Sequence, residues 1–288
     1  MDFKNRALYS LSRRIIQRNH RFKNLHSGKS CYFFGNAKSL KYYDLNNFKD
    51  KISFGCNSLF LHKDFSNLGV SYYYNGDPLF FYPYWRNFYT LRIEKNLLGS
   101  LYAKKIKENN QINYFINVSD YPNIRGKNIF YVHHFGKNFT TYQDCSLDGV
   151  FNANQSALSA MLGMAIFLGF EDVTLVGFDH LLKPKASEHF YEYGKLDKVF
   201  ETAVLHENFL KSAQEFLKLK VVSPNSDYIG HIIQSVSYEE LTGSSPFFKE
   251  NTEIIDNSDL KILEKCNYGY SITKKQFLQN NPENYNLA

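Results

Sequence analysis

CYFFGNAKSL, residues 31–40, holds four apolar and aromatic residues, Cys31 to Phe34, that run straight into Gly35 and Asn36. A continuous apolar run ended by glycine reads as a strand buried on both faces, the pattern of a parallel sheet covered by helices on each side. Gly35 lets the backbone turn sharply and come close to a ligand. Asn36 then stands at the carboxyl end of the first strand, where open α/β sheets bind their ligands. The same grammar returns in Ile52-Ser53-Phe54-Gly55-Cys56-Asn57, and again in Val70 to Asn75, followed by Gly76 and Asp77. Three strands ending in Asn36, Asn57 and Asn75 aim three carboxamides at one crevice, and an amide both donates and accepts. Asparagine also follows strands simply because it tolerates turn geometry, so the set of three carries the signal rather than any one. No G-x-G-x-x-G or Walker loop is present, which excludes the usual dinucleotide and P-loop readings.

Further along, Ser156 to Leu168 is small and apolar on nearly every side, with Gly169 placed to end a helix. Phe170-Glu171-Asp172 connects it to Val173-Thr174-Leu175-Val176, a buried strand followed by Gly177 and Asp179. Helix, short turn and β-branched strand form a unit of a doubly wound sheet. The expected fold is therefore α/β, a single Rossmann-like, mostly parallel sheet. Ser156 at the helix start offers a hydroxyl and backbone N–H groups to an anion. Residues 180–202 are polar, break the α/β rhythm and leave a strand's carboxyl end, as a lid insertion does. Ala203–Leu219 reads as a helix containing His206; Lys220-Val221-Val222 is the next strand, ended by Ser223-Pro224-Asn225-Ser226. Before the long helix, residues 79–85 read as a loop into a helix over Leu91–Leu101. The expected organisation is an arm over 1–28, a core over 29–235 with the lid inside it, and a helical or irregular extension over 236–288, polar and loosely ordered at its end.

The net charge of +6 is uneven. Residues 1–30 hold eight basic residues against Asp2 alone, a net +7 that leaves the rest of the chain at −1. Leu8, Leu11, Ile15 and Ile16 recur within this arm at helical spacing, so it reads as a basic amphipathic helix. Such a helix lies on an anionic membrane surface through residues 1–25, or packs on its own domain with a solvated basic face. No basic patch continues into the core, which argues against nucleic acid. The longest apolar runs fall short of 18 residues and no signal peptide is visible, so the expectation is a cytoplasmic protein, peripheral on the inner membrane if the arm binds lipid. The four cysteines show no paired spacing and read as reduced thiols.

In order, FFGNAKSL, FGCNSLF, YYYNGDPLF, SAMLGMAIFLGFEDVTLVGFD, QEFLKLK and SPNS resemble bacterial sialyltransferases of glycosyltransferase family 42, from about Tyr32 to Ser226. The resemblance implies a variant GT-A-type fold and a metal-independent, inverting transfer that needs no cofactor. A sialic-acid-like sugar would pass from a CMP-activated donor to a hydroxyl of a bacterial surface glycan, lipooligosaccharide or capsule. It assigns Asn36, Asn57 and Asn75 to the nucleotide and sugar; Gly35, Ser156, Asp179, Asn225 and Ser226 are the further donor-nucleotide-binding candidates of this chain. A histidine serves as base and lid tyrosines stabilise the leaving phosphate. The chain departs from the pattern at Asn154-Gln155-Ser156-Ala157, where only Ser156 corresponds, and at Leu181, where an aromatic lid residue is lost; Tyr191 or Tyr193 is the candidate to replace it. Histidine suits the base because its pKa lies near neutrality. His189 in the lid is the first candidate, His206 the second and His180 the third. Asp179 either holds donor hydroxyls or caps its loop. The departures also bring the chain near hydroxymethylpterin-diphosphokinase-like proteins, which bind ATP with Mg²⁺ and gather carboxylates at strand ends; only Asp77 and Asp179 offer themselves. A non-catalytic nucleotide-binding membrane-surface protein is the remaining alternative.

Overall fold

The computed structural model describes residues 3–86, 93–133, 141–153, 156–185, 188–196, 207–266, 275, 276 and 279. Eight strands make one sheet: β1 (Ser30–Phe34), β2 (Ile52–Cys56), β3 (Val70–Asn75), β4 (Asn113–Asn117), β5 (Ile129–Val132), β6 (Asp172–Val176), β7 (Lys218–Ser223) and β8 (Gln234–Ser237). Their order is β8-β7-β6-β1-β2-β3-β4-β5, and every pairing is parallel. The chain builds outward from β1 to β5, then returns to pair β6 on the other side of β1. The doubly wound architecture expected from the sequence is present, and its topological switch point lies between β1 and β6.

The apolar runs are continuous because both faces of the sheet are covered. Cys31, Phe33, Phe54, Tyr72, Phe115 and Val173 face one core with α3 (Ala157–Leu168) and α4 (Glu207–Gln214). Tyr32, Phe34, Tyr73, Tyr114, Ile116 and Val176 face the other, with α2 (Leu97–Glu108) and α5 (Asn257–Lys265). Neighbouring residues alternate between the two cores as pleating requires. In the first core Phe22 meets Phe115 and Phe130 edge to face, a geometry aromatic quadrupoles favour.

Two expectations need correction. Residues 84–86 and 93–95 pair as an antiparallel ribbon, and the helix begins only at Leu97, because Asn96 Oδ1 accepts from Gly99 N–H at 2.8 Å and caps it there. β7 already starts at Lys218, paired to Asp172, where the reading carried a helix on to Leu219. The described part of the extension packs on the core: Leu260 and Leu263 are buried, and Lys105 pairs with Asp259 at 2.7 Å.

The described part of the arm is α1 (Phe3–Ile16) and a 3₁₀ turn over Gln17–Phe22. It packs on its own domain: Ile16, Asn19 and Phe22 are buried, while Leu11 is 82% exposed and Arg13, Arg14, Arg18 and Arg21 face solvent. Among the described residues no helix is long and apolar enough to cross a membrane.

Candidate functional site at the sheet switch point

β1 and β6 end side by side. Gly35 N–H donates to Val176 O at 2.8 Å and Ala37 N–H to Gly177 O at 3.0 Å. Gly177 takes a φ of +74°, a left-handed value that glycine adopts freely. The turn over Lys38–Lys41 then carries Ser39 to Asp179, whose Oδ2 accepts from Ser39 N–H at 2.9 Å. Asp179 is fully buried, and its Oδ1 has no hydrogen-bond partner. Burial pushes its carboxyl pKa up to about 6, against the lowering pull of the Ser39 bonds and of His189.

The strand-end asparagines fall into two kinds. Asn36 is clipped at both ends of its carboxamide: Nδ2 donates to Cys56 O at 3.0 Å, and Oδ1 accepts from Ser58 N–H at 3.0 Å. It splices the end of β1 to the end of β2. A fourth one, Asn117, does the same between β4 and β3, with Nδ2 on Gly76 O at 3.1 Å and Oδ1 accepting from Ser119 N–H at 3.0 Å. Asn57, in contrast, is fixed through its backbone at φ +50°, its N–H on Tyr74 O and its carbonyl accepting from Tyr73 Oη at 2.8 Å. Asn75 is 2% exposed and its Nδ2 has no partner. A buried amide donor left unpaired costs about 1–3 kcal/mol, which is recovered when a ligand oxygen meets it.

The stretch read as a lid is bonded onto this edge wherever it is described. Leu182–Lys183 pairs with Ile229–Gly230. Residues 188–190 run antiparallel to Asn36–Lys38: Lys38 N–H donates to Glu188 O at 3.1 Å, Phe190 N–H to Asn36 O at 2.8 Å, and Ala37 bridges His189. The buried Lys38 ammonium also pairs with the Glu188 carboxylate. His189 therefore stands over the end of β1 with its side chain 45% exposed. Its ring stacks on Tyr191, centroids 5.0 Å apart and planes within 9°. Its Nδ1 lies 3.0 Å from Glu192 Oε1. An ionised carboxylate only accepts, so Nδ1 is the donor in this contact, and in the neutral ring Nε2 is the nitrogen that carries the lone pair.

The other candidates are more dispersed. Ser156 caps α3, accepting from Ser159 N–H at 3.1 Å and donating its own N–H to Ser159 Oγ at 2.9 Å. Since α3 runs back to the amino edge, its start lies at the carboxyl edge of the sheet. Asn225 and Ser226 are exposed beyond β7, and Asn225 Oδ1 accepts from Asp227 N–H at 3.0 Å. His180 is exposed beside Phe178; crowding by protein atoms, then His189 and Lys185, pushes its pKa down. His206 and Asn154 lie outside the described residues. Among the described residues, no three His, Cys, Asp or Glu side chains gather closely enough to hold a metal ion. Sequence reasoning missed Glu192, which only the fold sets against His189, and Asn117, visible as a fourth strand ending in Asn.

No family model matches the chain, and no curated protein is similar to it in sequence. Solved structures similar to it include the sialyltransferase CstII from Campylobacter jejuni in complex with a substrate analogue, cytidine-5′-monophosphate. That one aligns at 20% identity and a TM-score of 0.34, over 84% of this chain and 99% of its own. Another is the sialyltransferase CST-II in complex with trisaccharide acceptor and CMP, at 19% identity and a TM-score of 0.39, over 82% of this chain and 98% of its own.

Proposed function

We propose that this chain is a glycosyltransferase that moves a sialic-acid-like sugar from a CMP-sugar donor to a hydroxyl of a glycan, without a metal and with inversion. The observation that carries the reading is the His189 constellation at the switch point. An inverting transfer needs a base within hydrogen-bond reach of the acceptor hydroxyl. His189 has a free Nε2, an oriented ring and an exposed edge over the end of β1. In the proposed reaction Nε2 takes the acceptor proton as the hydroxyl oxygen attacks the anomeric carbon from the face opposite the phosphate. The bond to the CMP oxygen breaks, and its electrons leave with CMP. Asn75 Nδ2, unpaired in the protein, meets a donor oxygen, and the N-terminus of α3 together with Asn57 supplies neutral dipoles to the nucleotide. The motifs from Tyr32 to Ser226 that resemble family 42 support the same donor class. The exposed Arg13, Arg14, Arg18 and Arg21 support contact with an anionic membrane surface, which would bring the enzyme to a lipid-linked acceptor.

A thermal-shift panel of CMP, UMP, ATP and GDP, each in EDTA and in Mg²⁺, tests the reading. CMP in EDTA raises the melting temperature if it is right. Stabilisation by ATP with Mg²⁺ alone would transfer the case to a diphosphokinase-like enzyme.

A further inference from the structure

Lys41, on the turn that follows Asn36, is completely buried. Its ammonium donates to Glu192 O and Gly194 O at 2.8 Å each and to Asn251 Oδ1 at 2.5 Å. Asn251, from the C-terminal extension, uses its Nδ2 to hold Tyr191 O at 2.9 Å. Three carbonyls of one short segment, at 191, 192 and 194, are thus held by two side chains far away in sequence. That segment carries the Tyr191 ring and the Glu192 carboxylate, the two groups that flank His189. We propose that Lys41 and Asn251 are positioning residues for His189, holding the ring and the carboxylate that fix its tautomer and orientation.

The chemistry of Lys41 supports a geometric role. A buried ammonium is costly unless it is well paired, yet its three hydrogen-bond acceptors are neutral oxygens. Burial, then the neighbouring Lys38, push its pKa down to about 7, against Glu250, Glu188 and Glu192. An apolar side chain would avoid this cost. What an apolar side chain lacks is three donors converging from one atom, which is what ties the segment to the β1 turn and to the extension. The inference gives the extension a part in the site, and it rests on the proposed transferase reading.

The test compares Lys41→Met, Asn251→Ala and Lys41→Arg with the parent protein, well below each melting temperature. Displacing a reacting group by about 1 Å costs on the order of 100-fold in rate, so kcat in Lys41→Met and Asn251→Ala falls by about that factor while donor KM and CMP affinity hold. Lys41→Arg, which keeps cationic donors, recovers part of the loss. Folded variants with parental kcat overturn the proposal, and so does a rise in KM with kcat intact, because either separates the clamp from His189. Should Lys41→Met fail to fold, Asn251→Ala decides the matter. A second readout needs no turnover: the rate at which diethyl pyrocarbonate modifies His189, followed by mass spectrometry. It departs from the parental rate in the variants if the ring and its Nδ1 contact are no longer held, and an equal rate overturns the proposal even if the parent shows no transfer at all. Absence of transfer in the parent, with the modification rate still altered in the variants, would count against the transferase reading alone.

Discussion

A methyl group placed on Gly35 would stand 2.2 Å from the carbonyl oxygen of Gly177. The two strand ends at the switch point approach so closely that only glycine fits, and hydrogen bonds from Gly35 and Ala37 tie them together there. Gly35→Ala is therefore expected to destabilise the protein by about 3 kcal/mol or more, at the upper end for overpacking. Urea unfolding with and without CMP reads the effect; a midpoint equal to that of the parent would mean that the strand ends can part.

Asn36 and Asn75 look alike in the sequence and should respond in opposite ways. Removing the Asn36 carboxamide leaves Cys56 O and Ser58 N–H unpaired, so Asn36→Ala loses about 1–3 kcal/mol of stability. Removing Asn75 Nδ2 deletes a donor that has no partner, so Asn75→Ala keeps its melting temperature but loses affinity for the CMP-sugar by a similar energy. Calorimetric titration beside a melting curve separates them. Parental affinity in Asn75→Ala would place that amide outside the site.

His189→Ala should lower kcat by about 10²–10⁴-fold, the range for loss of one general base, with CMP binding preserved. His180→Ala and His206→Ala made in parallel complete the experiment. If His206→Ala alone abolishes turnover, the base lies on the 203–219 segment.

Asp179 should leave a mark on the pH dependence of stability. Its folded pKa is raised to about 6 from an ordinary 3.8, so the native state binds a proton more tightly than the unfolded chain. Its favourable contribution is complete below about pH 4 and is lost as pH climbs through 6. The swing is about 3 kcal/mol, from 1.36 kcal/mol per pKa unit. Asp179→Asn, neutral throughout, should flatten the urea stability profile between pH 4 and 6. An unchanged slope would show that Asp179 titrates as an ordinary carboxyl.

The parallel sheet was legible because it depends on local runs: Cys31–Phe34, Ile52–Cys56, Val70–Tyr74 and Val173–Val176 are apolar enough to declare buried strands, whereas the switch point is a matter of strand order, which local runs do not set. β8 was not legible, since Gln234-Ser235-Val236-Ser237 lies at a sheet edge where polar residues are tolerated. The three asparagines were visible as a pattern, but one pattern covers two jobs. Nothing in the sequence tells that Asn36 is consumed by Cys56 and Ser58 while Asn75 is not, because that depends on which neighbours the register supplies. Glu192 and Lys41 stayed hidden for a related reason. Lys41 reads as a surface lysine until residues 151 and more positions away close over it.

Asn19 donates from Nδ2 to Tyr131 O at 2.9 Å and to Leu147 O at 2.8 Å. Tyr131 belongs to β5, the outermost strand on that side, so the arm occupies a backbone acceptor of the edge strand that another chain would otherwise pair with. An unguarded strand of Ile129-Phe130-Tyr131-Val132 would be an invitation to edge-to-edge association. Trimming the arm to probe lipid contact consequently has a boundary. A cut before Ser12 removes charge and the exposed Leu11, whereas one reaching Phe22 unseals the sheet, and the product of that cut would be expected to precipitate rather than simply let go of a membrane.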